Sequence, residues 1–245
     1  NIKASLKPLS LNPDLESTLP SLPQIDLDIQ NDPKLCKRLM AIVLEVTVTD
    51  SPDWLKKRLI QVGQRPLNNL IDVTNYIMWQ LGHPTHIFDY DKFTQKKLIV
   101  RKAREGEQVT TLDKKTFTMR GGEVVFDDGT GTIIDMPGLM GTDNTIVSTS
   151  TKRAMFFIDS VIAEKIRFAC ITHGIRTQAA ILNEKHVDAN LAQEALLQGI
   201  FLLTDISKAK PLTQIYDNYP VKPQLTKTSL PQSQLDTYLG LSIKP

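Results

Sequence analysis

The densest run of side chains able to hold or move a proton lies between Arg65 and Asp91. It contains Arg65, Asn68, Asn69, Asp72, Thr74, Asn75, His83, His86, Asp89 and Asp91. Two chemistries compete for it. His83-Pro84-Thr85-His86 followed by Asp89 and Asp91 offers imidazoles and carboxylates of the kind that ligate metals. The spacing is not the i, i+4 pair of a zinc-binding helix, however, and Pro84 argues for a loop. The alternative is a polar network of helix caps and turns, since Asn, Asp and Thr readily bond to nearby backbone. Asp72 and Asn75 lie three apart and can share one helix face. Outside this run the signals are weaker. Gly129-Thr130-Gly131 and Gly138-Leu139-Met140-Gly141 are glycine-containing loops without a phosphate-binding fingerprint, although Gly138 and Gly141 would let backbone approach a ligand closely. No nucleophile elbow supports a Ser-His-Asp triad. His173 and His186 fall near helix ends, where structural roles are expected. Lys37-Arg38 and Lys56-Lys57-Arg58 read as solvated faces.

The elements that would position these residues follow from hydrophobic period and punctuation. Leu39 to Val48 reads as a strand. Ser51-Pro52-Asp53 supplies a cap, a first-turn proline and a first-turn acid for a helix carrying Leu55, Leu59 and Val62 and stopped by Gly63. A second helix covers Asn68 to Leu81, with Leu70, Val73, Ile77 and Leu81 on one face. From Lys97 to Ser160 short strands alternate with turns: 98–101, 108–112, 123–126 and 154–158. Helices return at Ala163 to Thr172, ending at Gly174, and at Leu191 to Asp205. Residues 1–33, with five prolines, read as an extended linker closing a preceding N-terminal region. Pro211 to Pro223 reads as a second linker, and Leu225 to Thr228 with a helix from Pro231 to Leu239 would open another domain. The division is therefore 1–33, a main domain over 34–206, and 207–245. Blocks of helix and strand favour an α+β fold with a mixed or antiparallel sheet core and packed helices.

Bulk composition sets the class. Of 245 residues, 41% are hydrophobic and 23% charged, as in ordinary globular proteins. No apolar run approaches the ~20 residues of a membrane helix, and no secretory signal opens the chain. Cys36 and Cys170 match no metal spacing and suggest free thiols in a reducing, cytoplasmic compartment. A net charge of +2, from 29 basic and 27 acidic residues, is too balanced for broad phosphate neutralisation. Any RNA contact must be local or supplied by other parts of a larger molecule. The chain opens on Asn1 and closes as a new element begins, so it is expected to be a piece of a longer protein.

Arg65-Pro66-Leu67-Asn68-Asn69-Leu70-Ile71-Asp72-Val73-Thr74-Asn75-Tyr76-Ile77-Met78 resembles the R-P-x-N-N-V-V-D-V-T-N-Y-V-M segment of bacterial phenylalanyl-tRNA synthetase β subunits. His83-Pro84-Thr85-His86-Ile87-Phe88-Asp89 is similar to their Q-P-L-H-A-F-D, and Ser51-Pro52-Asp53-Trp54-Leu55 to S-P-x-W-L. Val100-Arg101-Lys102-Ala103 and Thr111-Leu112-Asp113 match V-R-x-A and T-L-D-G. The resemblance runs in order from about Asp32 to Asp205. It implies the editing domain, which hydrolyses the ester of mischarged Tyr-tRNA(Phe). It also implies tRNA(Phe) and an α subunit as partners in a heterotetramer. ATP and magnesium would belong to the whole enzyme's aminoacylation site, so no cofactor and no metal is expected in this piece.

Carried over by residue, the resemblance implies catalytic roles for His86, Asn75 and Asp159. Arg65, Thr74, Gly138, Gly141, Thr177 and Ala179 would bind substrate. Asp159 stands where the family has a Glu associated with the tyrosine hydroxyl, one methylene longer. Pro137 and Thr142 replace an Ala and a Gly of the family's A-G-V-M-G-G loop, and few identities to T-D-A-S-x-R-F-E-R-G survive after Thr177. An editing-deficient scaffold for subunit assembly and tRNA positioning is therefore the second reading, and a free-standing deacylase the third.

Overall fold

A computed structural model describes residues 19–224 and 226–242. The long strand β2 (Cys36–Glu45) and its partner β10 (Arg153–Val161) run antiparallel through the centre of the molecule, with β3 (His86–Asp89) on the far side of β10. β11 (Lys210–Pro211) and β12 (Tyr216–Asn218) pair antiparallel with the other edge of β2. A second, mixed sheet has the order β1 (Asp28–Gln30), β4 (Lys97–Lys102), β7 (Val124–Asp127), β8 (Ile133–Met136) and β9 (Met140–Gly141). In it β1 and β4 are parallel. β5 (Gln108–Thr110) and β6 (Thr116–Thr118) form a separate hairpin. The fold is α+β.

Because side chains alternate across a strand, a central strand buried on both faces must be apolar throughout. β10 does this. Met155 and Phe157 enter one core, shared with Val100, Phe126 and Ile134 of the second sheet. Ala154, Phe156 and Ile158 enter another, beneath α1 (Asp53–Gln61), α2 (Asn69–Leu81) and α5 (Leu191–Ser207). The molecule is thus three layers: helices, central sheet, second sheet. Gly199 lets α5 lie directly on the sheet, since a Cβ there would come within 2.3 Å of Phe156 Cζ.

Much of the polar run before Asp91 builds turns. Asn68 caps α2, its Oδ1 accepting from the amides of Leu70 and Ile71. The Asn69 side chain accepts from Thr49 N and donates to Thr47 O. Buried Asp72 accepts from Leu67 N and, at 2.6 Å, from Ser51 Oγ. Ser51 is therefore spent on Asp72, and Pro52 stands at the N-cap of α1. Gly82, at φ +74°, closes α2 in the left-handed conformation that glycine tolerates best.

Several expectations are corrected. Arg38 is not solvated: it is 5% exposed and forks onto Asp217 at 2.8 and 2.9 Å while donating to Ala189 O. The proline-spaced stretch after Pro211 is tied into the sheet by β11 and β12, because β2 offers it an unpaired edge. Residues 226–228 form no regular structure, and Leu225 lies outside the described residues. Of the stretch 1–33, residues 1–18 lie outside the described residues, while 28–30 pair with β4. Strands β3, β6, β8 and β9 and helix α4 (Gln178–Asn183) had no counterpart in the sequence reading. The remaining helices are α3 (Ala163–His173) and α6 (Gln232–Leu239), the latter without buried residues. No helix among the described residues is long and apolar enough to cross a membrane.

Candidate functional site

At one end of the gap between the two sheets, α2, β3, β8, the turn before β9 and the start of α4 enclose a cavity of about 330 Å³. That is within the range of small-ligand sites, ~300–1,000 Å³. Its walls mix apolar side chains, Ile71, Met78, Phe88 and Leu139 among them, with polar ones on several sides.

α2 contributes Thr74 and Asn75. The Thr74 hydroxyl donates to Ile71 O at 2.7 Å, a local helix bond that leaves its lone pairs available. The Asn75 carboxamide makes no hydrogen bond to any described residue. β3 contributes His86, whose ring stacks on Phe157 with centroids 5.0 Å apart. Alternation along β10 turns Asp159 to the same side as Phe157. Asp159 does not line the cavity. It is 2% exposed and sits behind His86, its Oδ2 3.2 Å from Nε2. Neither Asp159 oxygen has a well-directed hydrogen bond, so the pair is a close contact that becomes ionic when His86 is protonated. Burial by itself would depress the His86 pKa, but the Asp159 carboxylate outweighs it and holds the ring above its ordinary value.

The opposite wall depends on glycine and a cap. Gly138 has φ +72°, and a Cβ there would fall 2.8 Å from Asn183 Nδ2 and 2.9 Å from Ile166 Cδ1. Thr177 Oγ1 accepts from Ala180 N, capping α4, and donates to Leu139 O at 2.9 Å. One hydroxyl thereby clips the glycine turn to the helix start, bringing Gly138, Gly141, Thr177 and Ala179 to the same cavity.

Of the residues singled out from sequence, Thr74, Asn75, His86, Gly138, Gly141, Thr177 and Ala179 all line this space. Arg65 does not: it is exposed, and its neighbour Gln64 lines the wall instead. His83 is fully buried elsewhere, between Pro84 O and Ser160 Oγ, and burial lowers its pKa. Asp89 accepts from Thr151 and Asp91 pairs with Arg153, so the imidazoles and carboxylates of this loop do not converge. Among the described residues no group of three His, Cys, Asp or Glu is placed to hold a metal.

Sequence reasoning missed Asp135. It lines the cavity from β8, is 1% exposed, and its Oδ2 has no hydrogen-bond partner. Burial pushes its pKa up to about 7, with Asp159 adding to the effect and His86 opposing it. The signal was a lone acid inside Ile133-Ile134-Asp135-Met136, where a carboxylate in an apolar strand asks for a reason. A larger hollow of about 720 Å³ lies among Pro33, Ile162, Val187 and Tyr219, but no buried unpartnered polar atom belongs to its lining. An acid pushed up to about 7, an imidazole held above its ordinary value, a free carboxamide and a partly apolar wall suit the smaller cavity to binding a part-apolar ligand and moving a proton at it.

Comparison with known proteins adds the following. A family described as the B3/4 domain matches residues 35–208. A phenylalanine–tRNA ligase beta subunit of Thermotoga maritima is 32% identical over 99% of this chain and 31% of its own length. Those of Dehalococcoides mccartyi strain CBDB1 and Carboxydothermus hydrogenoformans are 33% and 36% identical, over 97% and 89% of this chain and 29% and 27% of theirs. The chain thus spans under a third of the length of these relatives. A solved N-terminal fragment of the phenylalanyl-tRNA synthetase beta subunit from Pyrococcus horikoshii superposes with a TM-score of 0.48 at 12% identity, covering 91% of this chain and 62% of that one. That likeness is too slight to argue from.

Proposed function

The chain belongs to the B3/4 domain family, and from that premise we propose that it is part of a phenylalanyl-tRNA synthetase β subunit whose His86 cavity hydrolyses Tyr-tRNA(Phe). The observation that carries the reading is the convergence of Thr74, Asn75, His86, the glycine turn and the α4 start on one cavity. Its partners are tRNA(Phe) and the α subunit, in the cytoplasm. ATP and magnesium belong to the aminoacylation site of the whole enzyme.

Water attacks the carbonyl carbon of the ester, and the bond to the ribose oxygen of the terminal adenosine breaks as that oxygen takes a proton. In the neutral form of His86, with Nε2 turned to Asp159, Nδ1 is the ring atom left to accept the proton of water. Asp159 thus acts through His86 as a positioning residue, holding ring tautomer and orientation. The free Asn75 carboxamide donates to the carbonyl oxygen as negative charge develops on it. Editing is needed because an apolar synthetic pocket rejects an added hydroxyl only about 10²-fold.

The test is deacylation of Tyr-tRNA(Phe) by the intact protein. His86→Ala is expected to slow it by about 10²-fold or more, the usual worth of a general base. Equal rates for wild type and variant would remove the assignment. Asp159 standing outside the cavity lining favours the scaffold reading, and wild type that fails to hydrolyse the ester above background would establish it.

A further inference from the structure

β8 carries a carboxylate where both of its neighbours are apolar and buried. Asp135 borders the cavity, yet it forms no ion pair and its Oδ2 accepts from nothing among the described residues. A buried acceptor in that condition is incomplete without a donor from a ligand. The wall beside it is cleared: a Cβ on Gly141 would lie 3.6 Å from Asp135 Oδ1 and 3.3 Å from Leu112 Cδ1. Glycine therefore keeps a face of the carboxyl open.

Charge says what the donor should be. The ionisable groups whose fields reach Asp135 are His86 on β3 and Asp159 on β10. His86 is already engaged by Asp159 at 3.2 Å. When Asp135 is ionised, two carboxylates share one imidazole, and the set is one positive charge short. We infer that Asp135 is the binding site for the α-ammonium group of an aminoacyl ligand, and so fixes the adjoining carbonyl carbon beside His86. The choice of an aminoacyl ligand rests on the hydrolase reading. An aminoacyl ester carries its ammonium on the carbon next to the carbonyl, whereas the ring hydroxyl lies at the far end of the side chain. A group near His86 therefore meets the ammonium first.

The arrangement is pH-sensitive in a stated direction. Burial raises the Asp135 pKa to about 7, Asp159 adds to this and His86 subtracts. Below that pH the carboxyl is protonated in the free protein, and an ammonium must displace the proton to bind.

Tyrosinamide and N-acetyltyrosinamide, which differ in the ammonium, are titrated calorimetrically into the intact protein near neutral pH. Wild type is expected to prefer tyrosinamide by about tenfold or more, the scale of one charge-assisted contact. Its affinity should fall as pH drops below about 7. Asp135→Asn, isosteric and without the unpartnered charge, is expected to bind both ligands alike and lose that acidic limb. Equal binding of the two ligands by wild type overturns the inference, as does a preference that survives in Asp135→Asn. So does a variant that loses discrimination between tyrosinamide and phenylalaninamide instead, because the carboxyl would then be reading the ring hydroxyl. Deacylation measured alongside separates the two proposals. Ammonium-selective binding without hydrolysis keeps the Asp135 site and removes the hydrolase, and hydrolysis without ammonium selectivity does the reverse.

Discussion

His86 was legible in the sequence because its motif surrounds it, and Thr74 and Asn75 because a long periodic helix carries them. Asp135 was missed although a lone acid stood in an apolar run, since four residues buried on both faces give no alternation to say where it points. The cost of that charge is measurable in the fold itself. A carboxyl whose pKa rises from 3.8 to about 7 on folding binds more protons folded than unfolded, so its contribution to stability falls as pH climbs through that window. His86 acts in the same direction, because a raised imidazole pKa gives stability present below 6.5 and lost as pH rises through the folded value. Thermal melts of Asp135→Asn should therefore lie above wild type near pH 8, by on the order of a few kcal/mol, and converge with it toward about pH 4. Coincident melting curves across the range would mean that Asp135 is not buried as described.

At the scale of elements, the helices read well and the short strands poorly. Asn68 and Gly82 bracket α2, and Gly174 ends α3, because caps are local chemistry written in neighbouring residues. β3, β8 and β9 owe their extended form to partners far along the chain, which no local window contains. The same long-range logic governs Gly199. Helix propensity favours alanine there by about 1 kcal/mol, yet the Phe156 ring occupies the space a methyl would need. Gly199→Ala is expected to destabilise the protein by about 1–3 kcal/mol net, the usual cost of overpacking. Denaturant titration would show it, and a variant as stable as wild type would mean α5 can lift off the sheet without cost.

For the whole molecule, three layers place the cavity where the two sheets part, with Ile71, Thr74, Asn75 and Met78 of α2 along one wall. Apolar runs in β2 and β10 foretold a buried sheet, but not which elements would flank it. The proline-rich stretch after Lys208 shows why. Pro211 there sits in the outermost strand, β11, where a missing amide costs no ladder bond, and from composition alone that pattern is the same as a linker.

That marginal ribbon has a consequence for anyone trimming the protein. The B3/4 match stops at residue 208, yet Lys210, Pro211 and 216–218 shield one flank of β2, and Asp217 neutralises Arg38 there. A chain ended after Lys208 would uncover a long apolar strand with a row of vacant amides and a stranded guanidinium. It should self-associate edge to edge, eluting from a sizing column well ahead of a version that keeps residues through Asn218.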